Sequence, residues 1–323
     1  ILEDDSDADG GDLTLEITGT GASDTATFTL DWSDLLGGDG LVAAGIETLT
    51  LNSIDTEEGG TGSEITGTTT VNATNPAGPD PTPTLNVTGD SDLTLAEIDL
   101  RVGGVVTAGI ADATAFTGVL EATLGDGADH ELRGGSGDDI LTGGSGENVI
   151  SGNAGDDTIE GAAGDDALAG GEDNDTLEGD AGADLLTGGA GDDTFLVEVA
   201  GDEDGDEIAD FTTGEDVVDF AGTYLAGAAG TVDTFTAGTT VAALAAANDD
   251  TITLLATAQT TAQLDAAAAA IDAIVVAFDS DKGHMVIVAD PDWSDALARS
   301  VINVTNVTTL ADVAALADGD VQN

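Results

Sequence analysis

The sequence holds no cysteine, five prolines, one tyrosine and two tryptophans, and only four of its residues are basic. Without cysteine there is neither a disulfide framework nor a thiolate metal site, so an extracellular fold of this chain needs another staple. Arg101, Arg133, Lys282 and Arg299 stand against 65 acidic residues, a formal net charge of −61. That imbalance excludes nucleic acid and anionic lipid as partners, because like-charge repulsion opposes their approach. No apolar run approaches the roughly 20 residues of a membrane span. Trp32, Trp293 and Tyr224 are isolated; they make no stacking platform and read as core or edge packing. The two histidines, His130 and His284, are far apart, fit no HExxH zinc pattern and read as ordinary surface positions. No GxSxG elbow or phosphate loop occurs. The expectation is a chain that is not an enzyme.

What is present is acid, glycine and regularly spaced aliphatic residues. A hydrophobic content of 41% argues against full disorder despite the charge. So many carboxylates need neutralising, either by bound divalent cations or by a salty medium with a short Debye length. Both point outside the cell. Residue 1 is Ile rather than Met. The sequence accordingly reads as a soluble, processed form or fragment, secreted to the extracellular space or the cell surface.

Three regions follow one another. Residues 1–122 carry short runs that alternate apolar or β-branched residues with polar ones: Leu13 to Thr18, Thr25 to Leu30, Glu47 to Leu51, Thr84 to Thr88 and Val105 to Ile110. These predict strands. Four of the five prolines fall between Asn75 and Pro83, which predicts a loop. Residues 123–220 hold a repeat block and its cap. Residues 221–323 predict a small α+β region, with helices over Val241 to Asn248, Thr260 to Ala273 and Leu310 to Leu316. A hairpin is predicted from Ile274 to Phe278 and Met285 to Ala289, and a further strand over Ser300 to Thr309.

Written at period nine, residues 134–196 read GGSGDDILT, GGSGENVIS, GNAGDDTIE, GAAGDDALA, GGEDNDTLE, GDAGADLLT and GGAGDDTFL. Position six is Asp139, Asn148, Asp157, Asp166, Asp175, Asp184 and Asp193; position eight is Leu141, Ile150, Ile159, Leu168, Leu177, Leu186 and Phe195. Glycines such as Gly135, Gly137, Gly144, Gly146, Gly155, Gly164, Gly182 and Gly191 permit tight turns and bare the backbone carbonyls. Calcium takes six to eight hard oxygens, which turn carbonyls and aspartate supply. The apolar residue at position eight faces inward on a short strand.

Two nonapeptides close one coil, so like turns stack eighteen residues apart. The spacing predicts several Ca2+ ions in two rows, at the pairs Asp139 with Asp157, Asn148 with Asp166, Asp157 with Asp175, Asp166 with Asp184 and Asp175 with Asp193. Asn148 lacks the charge, and Asp173 replaces a glycine at position four; both are expected weak points. Gly125, Gly127 and Asp129 make a degenerate turn upstream. Position five is expected to face solvent.

The seven copies resemble the RTX, or haemolysin-type, nonapeptide GGxGxDxUx, in which U is a large apolar residue. The resemblance implies an all-β fold, a parallel β-roll or β-helix, with calcium in its turns. The segment GDEIADFTTGEDVVDF, Gly205 to Phe220, resembles the stretch that closes such rolls. It makes Asp206 and Asp210 further candidate ligands, with Phe211 and Phe220 covering the core. The runs GIETLTLNS, TLNVTGDSDLTL and VTAGIADATAFTGVLEATLGDGAD resemble the Thr-rich strands ahead of RTX repeats in bacterial S-layer proteins. That likeness implies strands running directly into the roll, and type I secretion. Two roles are expected from it. One is a secreted structural protein that self-associates into a sheet or filament, with cell-surface polysaccharide as a further partner. The other is the C-terminal folding and secretion module of a larger adhesin or enzyme.

Overall fold

A computed structural model describes residues 13–16, 24–31, 41–54, 63–73, 81–102, 104–198, 205–221, 251–254, 273–279, 284–289, 300–308 and 321–322. It divides into two compact units, Ile1–Ala154 and Gly155–Asn323. Among the described residues every regular element is a strand.

In the N-terminal unit the chain steps back and forth between two sheets. One contains β1 (Leu13–Glu16), β3 (Leu41–Ala44), β5 (Ser63–Ala73), β7 (Leu93–Val102), β10 (Leu120–Leu124) and β12 (Ile140–Thr142) in that order. The other contains β2 (Thr25–Asp31), β4 (Thr48–Ile54), β6 (Thr84–Gly89), β9 (Ile110–Phe116), β11 (Glu131–Arg133) and β13 (Val149–Ala154). Neighbours in each sheet run parallel, so every pair encloses a coil.

Alternation decides which residues go inside. In β4, Leu49 and Leu51 are buried while Thr48, Thr50 and Asn52 lie on the outer face, and Leu49 stacks on Leu85 of β6. A one-residue slip would turn every leucine outward, which fixes the register. The coils reach 36 residues between Thr48 and Thr84 and then shorten toward the repeats. Leu41 pairs 28 residues beyond Leu13, whereas Ile150 pairs 18 beyond Leu132, the nonapeptide period doubled. The Thr-rich strands therefore run directly into the repeats, as β10 onto β12 and β9 onto β11.

One predicted strand is broken. Only Val105–Val106 forms β8, antiparallel to β7, and pairing resumes at Ile110. Gly109 is seated where a Cβ would lie 2.5 Å from a Leu100 methyl, so the interruption packs against the core.

In the C-terminal unit, β14 (Thr158–Glu160), β16 (Thr176–Glu178), β18 (Thr194–Glu198), β20 (Val217–Ala221) and β25 (Val321–Gln322) make one parallel row. The second sheet begins with β15 (Ala167–Glu172), β17 (Leu185–Ala190) and β19 (Glu207–Ile208). Position eight fills the interior: Ile159, Leu168, Leu177, Leu186 and Phe195 are each at most 2% exposed. Phe211 covers that end, its ring 6.4 Å from that of Phe195.

The predicted hairpin forms as β22 (Ala273–Asp279) and β23 (His284–Ala289), after β21 (Thr251–Leu254). β23 pairs antiparallel with β24 (Ser300–Val304), and β24 joins β19 in parallel. The strand expected to reach Thr309 ends at Val304. Ala273 starts β22; the rest of the helices predicted over 241–248, 260–273 and 310–316 lies outside the described residues, as do Trp32, Tyr224 and Trp293. The Phe220 side chain lies outside them too.

Candidate calcium-binding turns

Within each unit the turns that join the strands set position six in a ladder. In the C-terminal unit the Asp157 N–H donates to Asp175 Oδ1 at 2.9 Å, Asp166 N–H to Asp184 Oδ1 at 2.7 Å, and Asp175 N–H to Asp193 Oδ1 at 2.9 Å. The next N–H along the chain donates to the carbonyl of position six: Thr176 to Asp157, Leu185 to Asp166 and Thr194 to Asp175, each at 2.8 Å. Each aspartate thus locks one coil to the next. All five from Asp157 to Asp193 are at most 2% exposed.

In Asp175, Asp184 and Asp193 one carboxylate oxygen makes the ladder and the other turns back over the first glycine of its own repeat. A Cβ on Gly161 would stand 2.7 Å from Asp166 Oδ2 and 2.8 Å from the Gly179 carbonyl. Position one is therefore glycine for space. Positive φ belongs to positions two and four, as at Asn153, Ala162, Gly155, Gly164, Gly182 and Gly191. Ala162 holds φ +74°, where its Cβ is crowded by the backbone. Ala162→Gly is expected to raise stability by about 1 kcal/mol, read as a higher denaturant midpoint, because glycine adopts this conformation without that strain. An unchanged or lower midpoint would contradict the strain. Asp173, at position four, accepts the same conformation at φ +75°.

The buried Oδ2 atoms of Asp175 and Asp193 have no hydrogen-bond partner. Burial pushes the Asp175 carboxyl up to about 7, aided by the Asp193, Asp156 and Asp173 charges and opposed by the Asp157 N–H. Asp193 is raised for the same first reason. An ionised carboxylate in such a place calls for a cation. Among the described residues no three carboxylate or imidazole side chains cluster as a metal-binding group. The donors are one or two carboxylates and the carbonyls of a glycine-rich turn, a hard-oxygen set suited to Ca2+ rather than zinc. Asp157, Asp166, Asp175, Asp184 and Asp193 would hold such ions with their turn carbonyls, and the ions would supply the missing positive charge.

Position five lies outside. Asp138, Glu147, Asp156, Asp165, Asn174, Ala183 and Asp192 are all exposed. Several still cap the neighbouring coil: Asn174 N–H donates to Asp156 Oδ1 at 2.9 Å and Ala183 N–H to Asp165 Oδ1 at 3.1 Å.

In the N-terminal unit the turns are closed by protein groups. Asp139 accepts from Leu120 N–H at 2.8 Å through Oδ1 and from Gly135 N–H at 2.7 Å through Oδ2. Burial raises its carboxyl, against those two bonds. Gly134 needs its missing Cβ for the same reason as Gly161, since the added carbon would meet Asp139 Oδ2 at 2.5 Å. Gly137 packs so closely on the Gly118 carbonyl that no Cβ fits.

Asn148 accepts from His130 N–H at 3.0 Å, and its amide donates to the Gly144 and Gly146 carbonyls at 3.3 and 3.0 Å. That amide bridges carbonyls an ion would use. Asn148→Asp is therefore expected to raise the number of bound calcium ions by one, read by equilibrium dialysis; an unchanged count would contradict this account of the turn.

Two sequence expectations change here. Asp129 is exposed, and its Oδ1 accepts the Glu147 N–H at 3.0 Å, the role of a position-five residue. The position-six place belongs to His130, only 2% exposed rather than on the surface, with neither ring nitrogen hydrogen-bonded. Burial lowers its proton affinity, while the Asp99 and Asp129 charges work the other way.

Past the repeats, Asp206 is 5% exposed and its Oδ1 accepts the Asp184 N–H at 3.0 Å. Asp210 accepts Gly188 N–H and Gly189 N–H at 3.0 and 2.9 Å. Asp216, 3% exposed, was not among the sequence candidates, yet accepts the Asp193 N–H at 3.1 Å. Its signal was the tripeptide Asp216-Val217-Val218, which copies positions six to eight.

Comparison with known families bears on the same stretch. Residues 133–168 and 169–196 match the RTX calcium-binding nonapeptide repeat (4 copies). No curated protein matches the chain. Residues 133–196 are thus RTX repeats, and such repeats bind Ca2+. Among the described residues no helix is long and apolar enough to cross a membrane.

Proposed function

We propose that this protein is a secreted, calcium-dependent structural component of a bacterial extracellular assembly, an S-layer lattice or a matrix filament. The observation that carries the reading is the ladder of buried aspartates, with Asp175 Oδ2 and Asp193 Oδ2 left without a hydrogen bond inside the turns. Such a chain folds at low cost only where calcium is plentiful, which describes the outside of a cell. Extracellular calcium modules bind at about 10⁻⁴ to 10⁻³ M, so the medium itself acts as the folding switch.

RTX repeats are calcium-binding structural elements, which fits a role in architecture rather than chemistry. Parallel coils also end in unpaired edges, which favour end-to-end contact between copies unless they are covered. Self-association then supplies the assembly, with cell-surface polysaccharide as its attachment.

Electron microscopy of the purified chain with and without millimolar calcium tests the assembly. Sheets or filaments that appear only with calcium are expected. Monodisperse particles in both conditions would count against it and favour the second role, a folding and secretion module of a larger protein.

A further inference from the structure

Far from the repeats, β2, β4 and β6 lay an uncharged face on the outside of their sheet. Thr25, Thr27 and Thr29 of β2 are exposed, and the register sets Thr48, Thr50 and Asn52 of β4 directly beside them. Thr84, Asn86 and Thr88 of β6 continue the same rows, half-buried like those of β4. No register shift interrupts the three strands. None of these side chains ionises, in a chain with 65 acidic residues among 323.

The neutrality is local. Toward the repeats the same sheet turns charged, with Asp112 of β9 and Glu131 of β11 both bonded to Arg133. The opposite sheet of the unit exposes Glu97 of β7 and Glu121 of β10.

Copies of so acidic a chain repel wherever their carboxylates meet, so a contact between them costs least where neither side is charged. Depletion of charge is also what sets the centre of a protein interface apart from other surface. Threonine adds stiffness, because its branched Cβ leaves few rotamers and docking freezes little side-chain freedom. Thr88 is already held, its hydroxyl donating to Asn52 Oδ1 at 3.1 Å.

We propose that this threonine face is a contact between copies of the chain, packed against the same face of a second copy. The contact rests on the reading of the protein as a self-associating component, and adds a lateral contact to the end-to-end one. Strands about 4.8 Å apart and residues about 3.3 Å apart make the face roughly 300 Å². A stable pair needs about 800 Å² on each side. The contact is therefore weak in one pair and holds when an assembly repeats it.

Thr50 lies at the centre of the face, so the test places a charge there. Light scattering reads the protein concentration at which the full chain begins to assemble in millimolar calcium. A two-fold contact repeats every substitution on both copies, and like charges brought together oppose it. Thr50→Asp should raise that concentration about tenfold or more, and Thr123→Asp, on the outer side of β10 in the opposite sheet, by no more than about twofold. Cysteine gives a second measurement that does not depend on charge, since the chain has none of its own. A bis-maleimide should join assembled Thr50→Cys chains into covalent dimers and leave Thr123→Cys monomeric. Wild-type assembly that Thr50→Asp matches, or Thr50→Cys chains that do not cross-link, overturns the face and leaves the structural reading intact. Retention on cell-wall polysaccharide that Thr50→Asp loses, with assembly unchanged, gives the face to the polysaccharide and overturns the contact between copies. A wild type that never associates in calcium overturns both the contact and the reading on which it rests.

Discussion

Replacing Asp175 by alanine is expected to weaken calcium binding at least tenfold, a loss of about 1.4 kcal/mol or more. Asp156→Ala should change it by no more than about twofold, or roughly 0.4 kcal/mol. The two residues stand at positions six and five of turns in one row and have the same chemistry. Asp175 is 1% exposed with an unpartnered Oδ2, whereas Asp156 is on the surface. Asp175→Ala also strips the Asp157 N–H of its acceptor, and a buried orphan of that kind costs about 1–3 kcal/mol. Asp175→Asn separates these effects, because the amide oxygen keeps the ladder bond while the charge is lost. Calorimetric titration of the three variants reads the difference, and equal affinities for Asp175→Ala and Asp156→Ala would refute the assignment.

Without calcium, the fold is expected to be more stable in mild acid than at pH 8. Burial holds the Asp175 carboxyl protonated up to about 7 and that of Asp216 up to about 6. In the unfolded chain such groups ionise near pH 4. Between those limits the folded state binds more protons than the unfolded one, so its stability falls as pH rises from about 4 through 7. The rise at Asp175 alone corresponds to a few kcal/mol, on the order of 1.4 for each pH unit of difference. Repulsion among the remaining carboxylates acts in the same direction and is screened by salt.

Calcium reverses the trend, because protons compete with it for the same oxygens. Thermal unfolding followed by circular dichroism should therefore show a melting temperature that falls with pH in chelator and rises with pH in calcium. A chelated protein whose melting temperature rises between pH 5 and 8 would show that the buried acids do not govern it.

Much of this was legible in the sequence. Strict recurrence of glycine, aspartate and an apolar residue carried the roll, its two-row arrangement and the exposure of position five. Alternation of apolar and β-branched residues located β2, β4 and β6. The failures came where context outweighs pattern. Val105 to Ile110 has strand composition, but no strand spans Thr107 to Gly109, and Gly109 packs against Leu100. His130 lies one residue past the aspartate that seemed to be the ligand, and the stacking of whole turns, which single-residue spacing does not encode, decided which of the two faces inward. Asp216 was hidden by inserted residues, although the tripeptide around it kept the local pattern. That the Asn148 amide bridges carbonyls of its own turn needed side-chain geometry.

Calcium holds the turns of residues 155–196 together if the buried aspartates are its ligands. The direct measurement is far-ultraviolet circular dichroism of the full chain during removal and return of calcium. Loss of the strand signal in chelator near neutral pH, restored by millimolar calcium, is predicted. A spectrum that chelator leaves unchanged at pH 8 would contradict it.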